Sequence, residues 1–157
     1  MGLTEEQIVA VKMDATDLKY EKEFFDAVVS TDSYNYFGRD EKYLDEKLLP
    51  FIKKGGYIYI VVPGMKKDCH DKIPEELLLS WTPEQLDYIH DIEYWRNIVS
   101  KSNDSDIVSI REMESNEECW QDWIKCDNEY SKNDKKAIDA GACKYLNFIA
   151  IVLRKKV

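Results

Sequence analysis

Apolar residues fall in short runs, and amphipathic stretches of helical period lie between them. Residues 8–13 (IVAVKM) are apolar and β-branched and predict a strand, closed by Asp14, Ala15, Thr16 and Asp17. Residues 24–31 (FFDAVVST) predict a second strand. Their near-continuous apolar character suits a parallel sheet covered on both faces. Asp40 is placed to cap a helix to about Leu49, with Tyr43, Leu44, Leu48 and Leu49 as its apolar stripe. Pro50 bends or ends it, and Gly55-Gly56 predicts a turn into a strand at 57–62. Crossovers of this strand–helix–strand kind are nearly always right-handed.

The stretch from Pro63 to Ser105 is more polar and predicts mostly helix. Thr82, Pro83 and Gln85 form a strong start signal: a Thr cap, Pro in the first helical position and Gln three residues after the cap. Leu86, Ile89 and His90 follow on one face. Asp91 restarts a helix striped with Ile92, Trp95, Ile98 and Val99. Residues 107–113 (IVSIREM) predict a strand. Ser115 and Glu118 match a second capping box, opening a helix to about Tyr130. A further short helix is expected over 131–142, with Gly141 helping to end it, and 145–153 (YLNFIAIVL) predict a last strand. Strands interleaved with helices indicate an α/β fold in one domain.

The 157-residue length suits one domain, and 44% hydrophobic residues suffice for a core. The net charge of −9 argues against non-specific nucleic-acid binding and against a polybasic membrane contact. No apolar run approaches the ~20 residues of a membrane helix, and the acidic, polar start is unlike a signal peptide. A cytoplasmic protein is expected. Cys69, Cys119, Cys126 and Cys143 form no CxxC pair, so reduced thiols are expected, and Cys119 and Cys126 are spaced to share a helix face. Cys69-His70 has no matching second pair, so no metal site is expected.

Residues 25–33 (FDAVVSTDS) and 34–38 (YNYFG) resemble the fourth strand and following loop of class I S-adenosylmethionine-dependent methyltransferases. Residues 48–60 (LLPFIKKGGYIYI) resemble their next helix end, Gly-Gly turn and fifth strand. Residues 8–18, with Asp14 and Ala15, resemble the third strand and the acidic loop beside the cofactor's adenine. Residues 80–86 (SWTPEQL) resemble the later helix start of members acting on small molecules, and strands 107–113 and 145–153 fit the antiparallel end of that sheet. The family's G-x-G-x-G loop and the acidic residue ending its second strand, which bind the cofactor's methionine and ribose parts, have no counterpart here. The resemblance therefore implies the C-terminal part of such an enzyme: an incomplete Rossmann-like α/β sheet, helices on both faces, the first two strands missing, and a helical substrate cap at about 64–104. The missing first strand would leave open edges beside 8–13 and 24–31, which invites a homodimer through strand edges or a separate N-terminal partner. A truncated gene is a further alternative, and the sequence does not choose among them.

The resemblance also implies roles. Asp14 would accept a hydrogen bond from the adenine amino group and the Ala15 amide would face the ring; alternatively Asp14 caps its own turn. Ser30 and Thr31 would lie near the cofactor's methionine end, and Asp32 would orient an acceptor amine or hydroxyl. Tyr34, Tyr36 and Phe37 would form an aromatic wall that stabilises the sulfonium and excludes water, Trp81 would join Tyr34 and Tyr36 in binding the acceptor, and the Tyr34 hydroxyl is a candidate to orient it; ordinary packing is the alternative. His90 is a candidate general base in the substrate cap. Trp95, Trp120 and Trp123 fit either a pocket or a core. The implied reaction moves a methyl group from S-adenosylmethionine to a small molecule, with no metal and no nucleic acid. Without the glycine loop, the isolated chain is expected to be inactive; a non-catalytic binding remnant or one half of a two-chain enzyme are the alternatives.

Overall fold

The computed structural model describes residues 2–4 and 6–157. Four strands form one sheet: β1 (Phe25–Thr31), β2 (Ile52–Met65), β3 (Ser105–Glu112) and β4 (Leu146–Lys155), in the order β1-β2-β4-β3. β1 pairs β2 in parallel, and β4 runs antiparallel to both β2 and β3. The helices are α1 (Tyr34–Phe37), α2 (Glu75–Leu78), α3 (Pro83–Leu86), α4 (Ile92–Val99), α5 (Asn116–Trp123) and α6 (Glu129–Asp139).

Period-two alternation sorts the two faces. Ile58, Ile60 and Val62 of β2 sit opposite Leu153, Ile151 and Ile149 of β4, and all six are buried. Tyr43, Leu44, Leu48, Trp95 and Val99 cover this face. The opposite face is covered near Pro63 and Phe148, where α5 and α6 pack through Trp120, Ala137 and Ile138. Toward the β1 edge that face is open: Val29 is 72% and Tyr59 42% exposed.

Several expectations are corrected. Residues 8–13 form no strand; Ile8, Val9 and Val11 lie exposed. No described strand stands beside them, and a strand without a neighbour gains no ladder hydrogen bonds. β1 is not covered on both faces: Ala27, Val29 and Thr31, which share one face, are exposed. The 40–49 segment buries the expected stripe but makes no α-helix. Asp40 accepts from the Lys42 amide at 3.0 Å, Leu44–Leu48 widens into a π turn, and Leu49–Phe51 tightens around Pro50, which has no N–H to continue a helix. Gly55-Gly56 lies inside β2 as a bulge rather than before it, with the register stepping between Phe25 and Ala27. Gly55 has φ +74, and a Cβ at Gly56 would meet the Asp26 carbonyl oxygen at 2.7 Å.

Thr82 and Gln85 make the expected reciprocal cap, at 2.9 and 3.3 Å. Asp91 caps α4 through the Tyr94 amide at 2.9 Å. Ser115, with φ −80 and ψ 13, makes no side-chain cap. The expected helix to Tyr130 stops at Trp123 instead, leaving Cys126 past its end and off the face of Cys119, and Asn128 caps α6 through the Ser131 amide at 2.9 Å. Gly141, at φ +93, follows the end of α6 in the left-handed conformation typical there. The four cysteines form no disulfide. No described helix is long and apolar enough to cross a membrane.

Candidate functional site

β2 runs past the end of β1. Their pairing stops at Thr31 and Val61, and the Asp32 amide then donates to the Val61 carbonyl at 2.9 Å. Pro63 sits just beyond, where no β1 residue needs its missing N–H. Asp32 turns the chain away with φ +50. The space left above these strand ends is a cavity of about 770 Å³, walled by Thr31, Asp32, Val61, Pro63 and Phe148 from the sheet side. This is where ligands collect in open α/β sheets.

The opposing wall is aromatic. Tyr36, Trp81, Tyr88, Trp120, Trp123 and Tyr130 all line it. Trp120 stacks on Phe148 with centroids 5.4 Å apart and lies 5.9 Å from Trp81, while Tyr36 lies 5.2 Å from Tyr88. Arg39 sits over Tyr88 at 4.3 Å and pairs with Asp87 at 3.0 Å. Ser80 clamps this wall: its Oγ donates to the Asn133 carbonyl at 2.7 Å and accepts from the Ala137 amide at 3.0 Å. Asn133 Nδ2 returns a bond to the Ser80 carbonyl at 2.6 Å.

Two carboxylates face the same space. Burial pushes the Asp32 carboxyl above its ordinary range, and the charge of Asp134 adds to the shift. Burial likewise raises Asp134, whose Oδ2 accepts from Trp123 Nε1 at 2.9 Å. Two further polar atoms at the cavity are buried without partners, Asn35 Oδ1 and Trp120 Nε1. Desolvated acids in an aromatic enclosure attract a cation and take up a proton readily.

The other candidate residues lie elsewhere. Tyr34 is 1% exposed, packed among Tyr43, Trp95 and Phe37, so it is a core residue and neither walls the cavity nor reaches it. Ser30 Oγ pairs with Ser33 Oγ at 2.9 Å and does not line the cavity. Asp14 is exposed and accepts from the Thr16 amide and hydroxyl, both at 2.8 Å, which hold its carboxyl below the usual range. It caps its own turn. The Ala15 carbonyl accepts from Tyr43 OH at 2.8 Å, tying that turn to the core. Trp95 is fully buried in the core, away from the cavity.

His90 is not on a helix: it lies between α3 and α4, bridged to Gly64, and outside the cavity. It meets Asp68 and His70, one ligand atom from each lying within 4.8 Å of the others. Burial, then the neighbouring His70, lowers the His90 pKa. Burial pulls His70 down too, but the Leu86 carbonyl and Asp68 outweigh it and the net shift is upward.

Sequence reasoning missed Asp134, Asn35, Tyr88 and Tyr130 at the cavity. Trp120 and Trp123, three apart on one helix, were its readable signal; Asp134 had none.

No family model matches the sequence, and no curated protein matches it. Solved structures do. A protein from Galdieria sulphuraria assigned as a sarcosine dimethylglycine methyltransferase aligns over 96% of this chain and 60% of its own, with TM-score 0.69 and 13% identity. The geranyl diphosphate C-methyltransferase of Streptomyces coelicolor, with Mg²⁺, geranyl diphosphate and S-adenosyl-L-homocysteine bound, aligns over 98% and 55%, with TM-score 0.67 and 12% identity. The fold is the C-terminal part of the class I methyltransferase fold. Haemonchus contortus phosphoethanolamine N-methyltransferase 2, with S-adenosyl-L-methionine bound, gives TM-score 0.63 at 19% identity, over 92% of this chain and 36% of that one. The chain thus spans 60% or less of these three methyltransferase-fold chains. Within that fold, β1, β2, β4 and β3 take the positions that the resemblance assigns to the fourth, fifth and closing strands.

The chain's own residues do not fit S-adenosylmethionine by themselves. The sequence carries no G-x-G-x-G string. Asp14 Oδ1 accepts from Thr16, and the Ala15 carbonyl accepts from Tyr43 OH, so this turn is held by the chain's own bonds.

Proposed function

We propose that this chain is the acceptor-binding part of an S-adenosylmethionine-dependent methyltransferase, and that its acceptor is a small amine. One observation carries the reading: the 770 Å³ cavity sets Asp32 and Asp134 inside an aromatic enclosure at the sheet's ligand-binding end. An ammonium ion there meets indole and phenol faces and two carboxylates, each desolvated and ready to be neutralised. For an amine to react it must lose a proton. Asp32, with its raised pKa, accepts that proton from the ammonium nitrogen and leaves the free amine lone pair. The names of two neighbours support an amine acceptor. Two act on amine-bearing compounds. The third acts on a diphosphate, which carries no amine.

The cofactor is held mainly by segments that this chain lacks. We place the strand bearing the glycine-rich loop against the free edge of β1, from further sequence or from a second chain. Alone, the chain is inactive and binds S-adenosylhomocysteine poorly.

The test is a tryptophan-fluorescence titration with tetramethylammonium, its uncharged counterpart tert-butanol and inorganic pyrophosphate. The reading expects saturable quenching by the cation alone, weakened about tenfold or more in Asp32→Asn and Asp134→Asn. Equal responses to cation and alcohol, or no saturation by the cation, would rule out an amine site. Calorimetry with S-adenosylhomocysteine tests the cofactor half separately. Micromolar binding by this chain alone would contradict its assignment as the acceptor part.

A further inference from the structure

Asp68 and His70 lie on the connection leaving β2, and His90 lies on the separate connection between α3 and α4. Backbone contacts hold the two connections together. The Met65 amide donates to the His90 carbonyl at 3.0 Å, and the Asp68 amide to Asp91 Oδ2 at 3.3 Å. The two imidazole centroids are 5.1 Å apart.

Hydrogen-bond accounting leaves this cluster one positive charge short. His70 Nε2 lies 3.0 Å from the Leu86 carbonyl, which only accepts, so Nε2 carries a proton. Nδ1 of the neutral ring is then a lone pair, and it faces Asp68 Oδ1 at 3.0 Å, another acceptor. The contact requires an extra proton or a metal cation. His90 is 8% exposed, with its ring flat against Tyr94 at a 3.6 Å centroid distance, and neither of its ring nitrogens has a partner. Buried nitrogens without partners are costly. One cation answers both defects, taking the His70 Nδ1 lone pair, the Asp68 carboxylate and one His90 nitrogen. Leu86, holding the far nitrogen of His70, is then the outer partner that metal-bound histidines typically have.

We propose that Asp68, His70 and His90 bind a divalent transition-metal ion of the zinc class. Two imidazoles and a carboxylate suit zinc over magnesium or calcium, which prefer oxygen ligands throughout. Ligand atoms up to 4.8 Å apart must draw in to reach bonds of about 2.0–2.1 Å. Asp68 is exposed and His70 half-buried, so the outer side of the cluster has room to close and to admit a water as fourth ligand. The nearby Arg39 is already paired with Asp87. The ion pins the end of α3, through Leu86 and His90, to the end of β2. Gln85, Tyr88 and Ile89 of that same segment line the cavity, so the site braces one of its walls. The inference does not depend on the methyltransferase reading.

The experiment strips the full chain with a chelator, returns zinc, and counts bound metal by elemental analysis. Cobalt(II) absorption and the thermal midpoint serve as second readouts. One ion per chain is expected, with a higher midpoint in zinc and none of that rise in magnesium. Asp68→Asn, a change at an exposed side chain, must weaken zinc binding by at least the roughly 10- to 100-fold that losing even an outer partner costs. His70→Ala and His90→Ala must weaken it further, and Cys69→Ser must leave it unchanged. Absence of stoichiometric binding in the folded chain, undiminished affinity in Asp68→Asn, or loss of binding in Cys69→Ser would each overturn the assignment.

Discussion

Replacing Ser80 with alanine tests how the cavity wall is held. Ser80 Oγ joins the Asn133 carbonyl to the Ala137 amide, the two ends of one helical step in α6. Alanine removes both bonds and leaves the Asn133 return bond to the Ser80 carbonyl in place. Each lost bond is worth about 1 kcal/mol net. Ala137 is fully buried, so its amide finds no water in place of the hydroxyl unless the helix closes on itself. The expected loss is about 2 kcal/mol, or roughly 4–8 °C in midpoint for a chain of this length. Urea unfolding should show the midpoint falling with an unchanged slope. Ser80→Thr keeps the hydroxyl and should recover most of the loss. Ser80→Ala loosens the hold on α6, which carries Asp134 into the cavity, so tetramethylammonium affinity should fall as well. A loss under about 0.5 kcal/mol, or equal losses in the Ala and Thr variants, would refute the clamp.

Gly38→Ala places a Cβ 2.0 Å from the Tyr34 ring, which Trp95 and Tyr43 hold in place. It should cost about 1–3 kcal/mol or more by overpacking, read as a lower midpoint. Tyr43→Phe deletes the bond to the Ala15 carbonyl, worth about 1 kcal/mol; amide exchange should quicken at residues 14–18 and stay unchanged in β2 and β4. Asp32 and Asp134 both have folded-state pKa values above the ordinary 3.8, so the native chain holds protons that the unfolded chain releases. Stability should therefore be highest below that value, fall as pH rises through the raised values, and stay lowered above them. Asp32→Asn should flatten this fall and raise the neutral-pH midpoint, and a steeper fall would contradict the burial argument.

Much of the sheet was legible because its strands are short apolar runs with polar punctuation. The α3 and α4 starts were legible because Thr82 and Asp91 act locally, through bonds within three residues. What failed depends on distant neighbours. Residues 8–13 have strand composition, but a strand needs a partner, and none of the described strands adjoins them. Ser115 has the right sequence for a cap and the wrong backbone angles. At the site, Asp32, Tyr36 and Trp81 were reached from the sequence, and all three line the cavity. Tyr34 and Tyr36 are two apart on one helical turn and so point to opposite sides, one into the core and one into the cavity. Asp134 and the Asp68–His70–His90 cluster join residues far apart in the chain, and no local period encodes such a meeting.

The placement of the open surfaces bears on how the parts divide their work. The cavity draws its walls from the ends of β1, β2 and β4, from α1 and α3 and from α5 and α6, while the outer edge of β1 carries no neighbouring strand. An exposed apolar patch around Val29 and Tyr59 lies toward the β1 edge, on the same sheet face as Val61 and Pro63. On the proposed function, acceptor recognition belongs to the cavity, and cofactor recognition to a strand added at the free β1 edge. Thr31 and Asp32, at the end of β1, join that edge strand to the cavity. Cation binding in the absence of cofactor, unaffected by Val29→Lys at the open edge but weakened by Asp32→Asn, is the pattern such a division requires. A Val29→Lys chain that lost cation binding while remaining folded would show that the cavity depends on the edge after all.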